Sequence, residues 1–261
     1  MSKFTSFAGG FAAPVSTSTY YAINPFIVAT GGTISYSGVY KIHTFTTVGV
    51  ATFQVNVAPT LAQLEYLVVA GGGGGGGQGD GQSHSYGGGG GAGGMLTGTM
   101  AITKGAHQIT VGAGGTFGTG IPGFGTVVLP TNGGNSKITP PINAEILALG
   151  GGIGGGGSAA TVGGSGGGGG RYAFTTPAAG TPGQGTAGSV YTGGGAGGPG
   201  TGLASSISGT SITYAKGGPG SNGAPIAPNT GNGGGGYEDI VYNTASAGGS
   251  GIVIVRYRIA N

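Results

Sequence analysis

Leu67-Val68-Val69-Ala70 runs straight into seven consecutive glycines, Gly71 to Gly77, and much later Gly248-Gly249-Ser250-Gly251 opens onto Ile252-Val253-Ile254-Val255-Arg256-Tyr257. One apolar strand enters a glycine region and another leaves it, so these two strands are expected to form the base on which a folded glycine bundle stands. Any fold for this chain must make glycine runs worth ordering. Glycine loses more backbone entropy on folding than any other residue and has no side chain to bury in return.

Disorder is the first alternative, and composition argues against it. Disordered chains combine high charge with low hydrophobicity, whereas this one has 37% hydrophobic residues, 5% charged residues and a mean hydropathy of +0.19. Collagen requires glycine at every third position, and the runs Gly154 to Gly157 and Gly166 to Gly170 break that period. The remaining solution is a bundle of extended polyproline-II-like strands. Without a Cβ, their backbones can approach closely and exchange amide hydrogen bonds with neighbours. The predicted fold class is therefore mostly β and irregular, with a small antiparallel β N-terminal region followed by a polyglycine II helix bundle closed by β-strands at its base.

Residues 1–25 are weakly patterned and read as a flexible or docking segment. Phe7 to Ala13 is too short for the apolar core of a secretory signal, and no stretch approaches the roughly 20 apolar residues of a membrane span. Residues 26–59 read as a β-rich attachment region. Tyr40, Ile42, Thr44 and Thr46 alternate with Val39, Lys41, His43 and Phe45, and Phe53, Val55 and Val57 alternate with Thr52, Gln54 and Asn56. That period of two marks half-buried strands. Residues 60–261 read as the glycine-rich polyglycine II domain, with the boundary near Pro59. Within it, Gly71 to Gly77 and Gly87 to Gly94 flank the polar loop Gln78 to Tyr86, which should lie far from the base. Met95 to Val111 reads as a hairpin turning at Lys104-Gly105, and further apolar intervals at Glu145 to Leu149 and Leu203 to Tyr214 should cap or join glycine segments.

The order of several of these stretches carries a resemblance. Leu67 to Gly73, Gly202 to Ala215, the ending Gly249 to Tyr257 and the lead-in Tyr40-Lys41-Ile42-His43-Thr44-Phe45-Thr46 together resemble a glycine-rich domain family common in bacteriophage tail-fibre and other virion-surface proteins. The likeness spans about Gly31 to Tyr257. Members similar to this chain include receptor-binding adhesins at the fibre tips of T-even-type phages, whose polyglycine II helices form a layered sandwich with variable loops at one end. The resemblance implies a tail-fibre tip or adhesin that binds the host cell surface, with a head fibre or capsid decoration protein as the alternative. It implies a virion-surface location after assembly in the host cytoplasm. The implied partners are a host outer-surface glycan or outer-membrane protein, and other virion fibre, tail or capsid proteins through the N-terminal region. A homo-oligomer is also compatible with it.

Catalysis has little material. The acids are Glu65, Asp80, Glu145, Glu238 and Asp239, and no pair of them has an evident general-acid setting. Asp80 and His84 are four residues apart in one loop without further metal ligands, and Ser83-His84-Ser85 lacks an orienting acid. Polyglycine matches dinucleotide fingerprints by accident, and no Gly-Lys-Ser or Gly-Lys-Thr is present. The net charge of +3 comes from eight scattered basic residues rather than a patch. The expectation is a non-enzyme with no cofactor, no metal, no nucleic-acid partner and no membrane insertion. An ice-binding protein would need a flat, regular Thr or Ala array, which these irregular loops do not supply.

The chain carries no cysteine, in keeping with a protein that does not rely on disulfides. The aromatic residues interrupting the glycine runs offer the most useful signal. Loops on a rigid scaffold carry recognition, and Tyr and Arg dominate interface hot spots. His84, Tyr86, Arg171, Tyr172, Phe174 and Tyr237 are the receptor-contact candidates, set against a plainer role in which the rings cover the side of the bundle. The loops expected to hold them are Gln78 to Tyr86 and Arg171 to Pro182.

Overall fold

The structure, a computed structural model, describes residues 26–77, 86–119, 128–171, 175–190, 200–220, 223–237 and 245–259. Among these residues there is no helix, and the strands form three antiparallel sheets, none closed into a barrel. One sheet has β2 (Thr33–Ser37), β3 (Tyr40–Phe45), β12 (Ile252–Arg258), β5 (Gln63–Val69) and β6 (Met95–Ala101) in that spatial order. A second has β1 (Val28–Thr30), β4 (Gly49–Val57), β7 (Gly105–Val111), β8 (Ser136–Thr139) and β9 (Ile146–Ala148). The third is the hairpin of β10 (Leu203–Ser205) and β11 (Ile212–Tyr214).

The two larger sheets pack face to face. Phe45, Leu64, Val68, Val253, Val255 and Tyr257 from the first meet Ala29, Phe53, Val55, Ile109, Val111 and Ile138 from the second in one buried core. This is the period-two alternation of β3 and β4 expressed as packing: one face goes inward, the other to solvent. β12 differs because both of its faces are covered. Ile252 and Ile254 pack on the outer side with Ile42, Leu67 and Val69, beneath Ile207 and Tyr214 from the β10–β11 hairpin. That explains the continuous apolar run at the chain's end, since a strand buried on both faces shows no alternation.

The expected pairing of the two base strands is present, with Ile252 opposite Val69 and Arg256 opposite Glu65. The hairpin expected over Met95 to Val111 is not. β6 pairs with β5 from Val69↔Met95 to Gln63↔Ala101, whereas β7 pairs with β4 from Gly49↔Val111 to Val55↔Gly105. The link between them crosses from one layer to the other. Ile102 is buried there and donates its N–H to Ala62 O at 3.0 Å. Each segment finds a longer partner elsewhere than a hairpin at Lys104-Gly105 would provide. Strand pairing also crosses the boundary drawn near Pro59, because β3 adjoins β12 and β4 adjoins β7.

The glycine segments make no strand ladders. In 71–76 the N–H groups of Gly71 and Gly74 donate to Gly134 and Thr131, those of Gly72 and Gly75 to Gly249 and Ser246, and those of Gly73 and Gly76 to Gly91 and Gly88. The carbonyls follow the same rule: Gly71 and Gly74 accept from Gly151 and Gly154, Gly72 and Gly75 from Gly115 and Gly118, and Gly73 and Gly76 from Gly234 and Tyr237. All twelve bonds are 2.8–3.1 Å long. The repeat is three residues, and each segment of the repeat points at a different neighbour. Rising residue numbers show that the three donating segments run parallel to 71–76, while falling numbers show that the three accepting ones run antiparallel. One extended segment is thus ringed by six others, with every amide paired.

Close approach makes glycine obligatory here. A Cβ on Gly71 through Gly76 would overlap, in order, the carbonyl oxygens of Ala113, Asn232, Gly152, Thr116, Gly235 and Gly155. The segment 87–94 repeats the pattern, donating to Tyr237, Gly234 and Gly231 on one side and to Gly155, Gly152 and Leu149 on another.

Candidate functional site

The hydrogen-bond register orders the bundle from end to end. Ala70, Gly94 and Leu149 lie beside the sandwich, where Ala70 N–H donates to Gly94 O and Gly94 N–H to Leu149 O. At the far end, Gly76 meets Gly88 and Tyr237, Gly118 meets Gly75, Gly75 meets Ser246, Arg171 N–H donates to Tyr86 O, and Thr119 bridges Val128. Gly77, Tyr86, Thr119, Val128, Arg171, Tyr237 and Ala245 therefore all stand at the end away from the sandwich.

Of the receptor-contact candidates, His84, Tyr172 and Phe174 fall outside the described residues. Tyr86 and Arg171 come together. The Arg171 guanidinium carbon lies 5.4 Å from the centroid of the Tyr86 ring, within cation–π range, and their backbones share a 2.9 Å hydrogen bond. Two positions far apart in sequence are thus joined. Tyr237 is at the same end, but only 5% of it is exposed, and its backbone joins Gly76 O to Gly87 N–H. Its ring is packed into the bundle. The stretch Arg171 to Pro182 is not wholly an end loop: Ala178 N–H donates to Gly167 O and Thr181 N–H to Gly163 O, so 175–182 runs along the bundle toward the sandwich.

Among the described residues, the ion pairs and the buried histidines lie at the sandwich. Arg256 donates twice to Glu65 Oε2, at 3.0 and 2.6 Å, lies 4.5 Å from the Tyr40 ring centroid and reaches Ser206 O at 3.3 Å, tying the β10–β11 hairpin to the outer face. Hydrogen bonds from Lys137 and Thr139, at 2.8 and 2.9 Å, hold the Glu145 carboxyl below its usual range. His43 is fully buried, between Gly31 O at 2.7 Å and the Tyr257 hydroxyl at 3.1 Å. Desolvation pushes its pKa down, outweighing the Gly31 carbonyl that would raise it, and nearby Lys41 adds to the lowering. Neutral His43 can donate from Nδ1 to Gly31 and accept at Nε2 from Tyr257, whose oxygen in turn accepts the Ala29 N–H. Burial raises the Tyr257 hydroxyl to about 12. His107 is buried beside the Phe53 ring and bonds Thr103 O at 2.9 Å. His43, Tyr257 and His107 thus lie within the core, while the two ion pairs lie outside it.

No sequence signal marked the His43–Tyr257 or Glu65–Arg256 pairs, whose members are 214 and 191 residues apart. Among the described residues, no group of three or more His, Cys, Asp or Glu could hold a metal ion.

A glycine-rich domain family matches residues 46–258. The chain belongs to that family. No curated protein matches this glycine-rich domain protein. The family match begins after β3 yet includes β12, the strand that β3 pairs with. β2 and β3 complete the sheet centred on β12, and β1 adds the edge of the other sheet beside β4.

Proposed function

We propose that this protein is a non-enzymatic bacteriophage virion protein, a tail-fibre tip or adhesin that displays host-contacting segments from a polyglycine II bundle. The observation that carries this reading is the common level of Gly77, Tyr86, Arg171, Tyr237 and Ala245 at the end opposite the sandwich. A rigid scaffold that brings positions far apart in sequence to one end is the arrangement in which surface sequence can change without disturbing the fold. The threefold repeat of amide bonds around Gly71 to Gly76 supports a polyglycine II lattice, because a helix of three residues per turn sends successive peptides in three directions.

In this reading Tyr86 and Arg171 border the contact surface, and His84, Tyr172 and Phe174 belong to the segments they anchor. Tyr237 supports that surface from within. The target is a host outer-surface glycan or outer-membrane protein, and the sandwich end faces the particle and its other fibre, tail or capsid proteins. The protein is assembled in the host cytoplasm and works on the virion surface. Two experiments together test this. Purified protein should compete with virions for adsorption to host cells, and the Tyr86→Ser/Arg171→Ala variant should compete less well, by on the order of 1–3 kcal/mol per hot spot. Immunogold label should fall on the tail tip. Label on the capsid would favour the head-fibre alternative, and full competition by the variant would move recognition to another part of the surface.

A further inference from the structure

The two large sheets have four outer strands, and three of them are protected against pairing with another chain. β1 and β9 have three residues each, and β1 has a break in register between Val28 and Ala29. Gln184 also binds the β9 side, through Nε2 to Leu147 O at 3.1 Å and Oε1 to Leu149 N–H at 2.8 Å. β6 is capped at both ends: Met95 N–H donates to Gln184 O, and Asn143 Nδ2 donates to Ala101 O. Short strands, bulges and covered ends are the usual means of blocking edge-to-edge association.

β2 has none of these. Thr33-Ile34-Ser35-Tyr36-Ser37 contains five residues, no charge and no proline, and pairs with β3 on one side only. Among the described residues no other backbone group bonds to it. Ile34 and Tyr36 are 41% and 65% exposed. They lie opposite His43 and Lys41, and so on the inter-sheet side of their sheet, at its rim. Lys41 does not defend the rim, because its ammonium is bound to Ala29 O at 2.9 Å.

The segment is complementary to itself. Antiparallel pairing of two copies about Ser35 sets Ile34 against Tyr36 of the other copy on one face, a β-branched–aromatic pair. On the other face it sets Thr33 against Ser37 and Ser35 against Ser35, all hydroxyls. We infer that β2 is a homotypic docking edge, through which a second copy of this chain extends the five-stranded sheet across a two-fold axis. The inference does not depend on the role proposed above.

The chain has no cysteine, so single cysteines report the register. Paired residues in antiparallel strands have Cα atoms about 4.5–5.5 Å apart, within disulfide reach. Ser35→Cys should therefore form a dimeric disulfide under mild oxidation. Thr33→Cys should not, since two copies of residue 33 would be separated by four strand steps, about 14 Å. In sedimentation equilibrium the full-length protein should form dimers in the micromolar to millimolar range, as a short edge interface implies. Ile34→Lys and Tyr36→Lys should be monomeric there, with an unchanged melting temperature because both sites are exposed. A monomeric wild-type protein throughout that range would overturn the inference. So would dimers that survive both lysine variants, or equal cross-linking at positions 33 and 35.

Discussion

The sandwich and the glycine bundle are one continuous structure, yet they bury their chain in opposite ways. In the sandwich the backbone ladders set spacing and side chains such as Phe53, Ile109 and Val255 fill the space between the sheets. In the bundle the segments around Gly71 to Gly76 leave no space to fill, and backbone meets backbone. The first gains from apolar area removed from water. The second removes little apolar area and relies on paired amides, each of modest net value but costly if left buried and unpaired. A lattice of this kind needs its ends held in register, and β5, β6, β7, β8, β9 and β12 all continue directly into or out of glycine segments. The sandwich acts as the clamp.

The strongest way to break the comparison is to remove the clamp. Truncation after Gly251 deletes β12, which separates β3 from β5 and lies in both apolar clusters. The whole protein, bundle included, should become protease-sensitive. If the glycine region kept native resistance, it would be an independent unit.

Point changes should act with opposite sign in the two regions. In the sandwich removing atoms hurts: Phe53→Ala, at a site 1% exposed, should cost about 3–5 kcal/mol. In the bundle adding atoms hurts: Gly73→Val would drive a branched side chain into Gly152 O and Gly151 O, and about 3 kcal/mol or more should be lost. Chemical denaturation measures both. A Gly73→Val protein of native stability would mean that these segments are loosely packed.

A titration sharpens the comparison, because the sandwich holds buried ionisable groups and the runs 71–77 and 87–94 hold none. The folded state keeps His43 below its ordinary pKa of 6.5. Its contribution to stability is therefore present above pH 6.5 and lost as the pH falls through the lower folded value. Tyr257 runs the other way. With a folded pKa of about 12 against 10.0, its contribution is present below pH 10 and lost as the pH rises toward 12. Denaturant midpoints followed against pH should fall on both sides of this window. His43→Gln should flatten the acid limb, and Tyr257→Phe the alkaline limb. An acid limb unchanged in His43→Gln would place the linkage in another group. The smallest effect is expected at the far end of the bundle: Arg171→Ala removes its cation–π contact with Tyr86, a contact worth about 0.5–1 kcal/mol, and should move the melting temperature less than the core and glycine changes do.

Much of this architecture was legible in the chain. The transitions at Ala70-Gly71 and Gly251-Ile252 marked where strands become glycine segments, and the pairing of β5 with β12 followed from two apolar runs at the edges of one region. Alternation located β3 and β4. The partners of β6 and β7 were not legible, since both have the same alternating pattern and only the sandwich's two-layer packing sends them to different sheets. Tyr237 read as a surface aromatic because it ends a glycine run, but a ring at the end of an extended segment can fold inward as readily as outward. The meeting of Tyr86 with Arg171 depends on which glycine segments are neighbours, and glycine has no side chain to encode that choice.

Amide hydrogen exchange, resolved residue by residue, tests the central claim most directly. Isolated glycine-rich chain exchanges fast because its backbone is solvated. If the bundle is a backbone lattice clamped by the sandwich, the amides of Gly71 to Gly76 and of Gly87, Gly88, Gly90 and Gly91 should be protected to the same extent as those of Val253 to Val255 and should be lost with them in a single unfolding transition. Glycine amides exchanging near the unfolded rate, while β12 stays protected, would contradict the account.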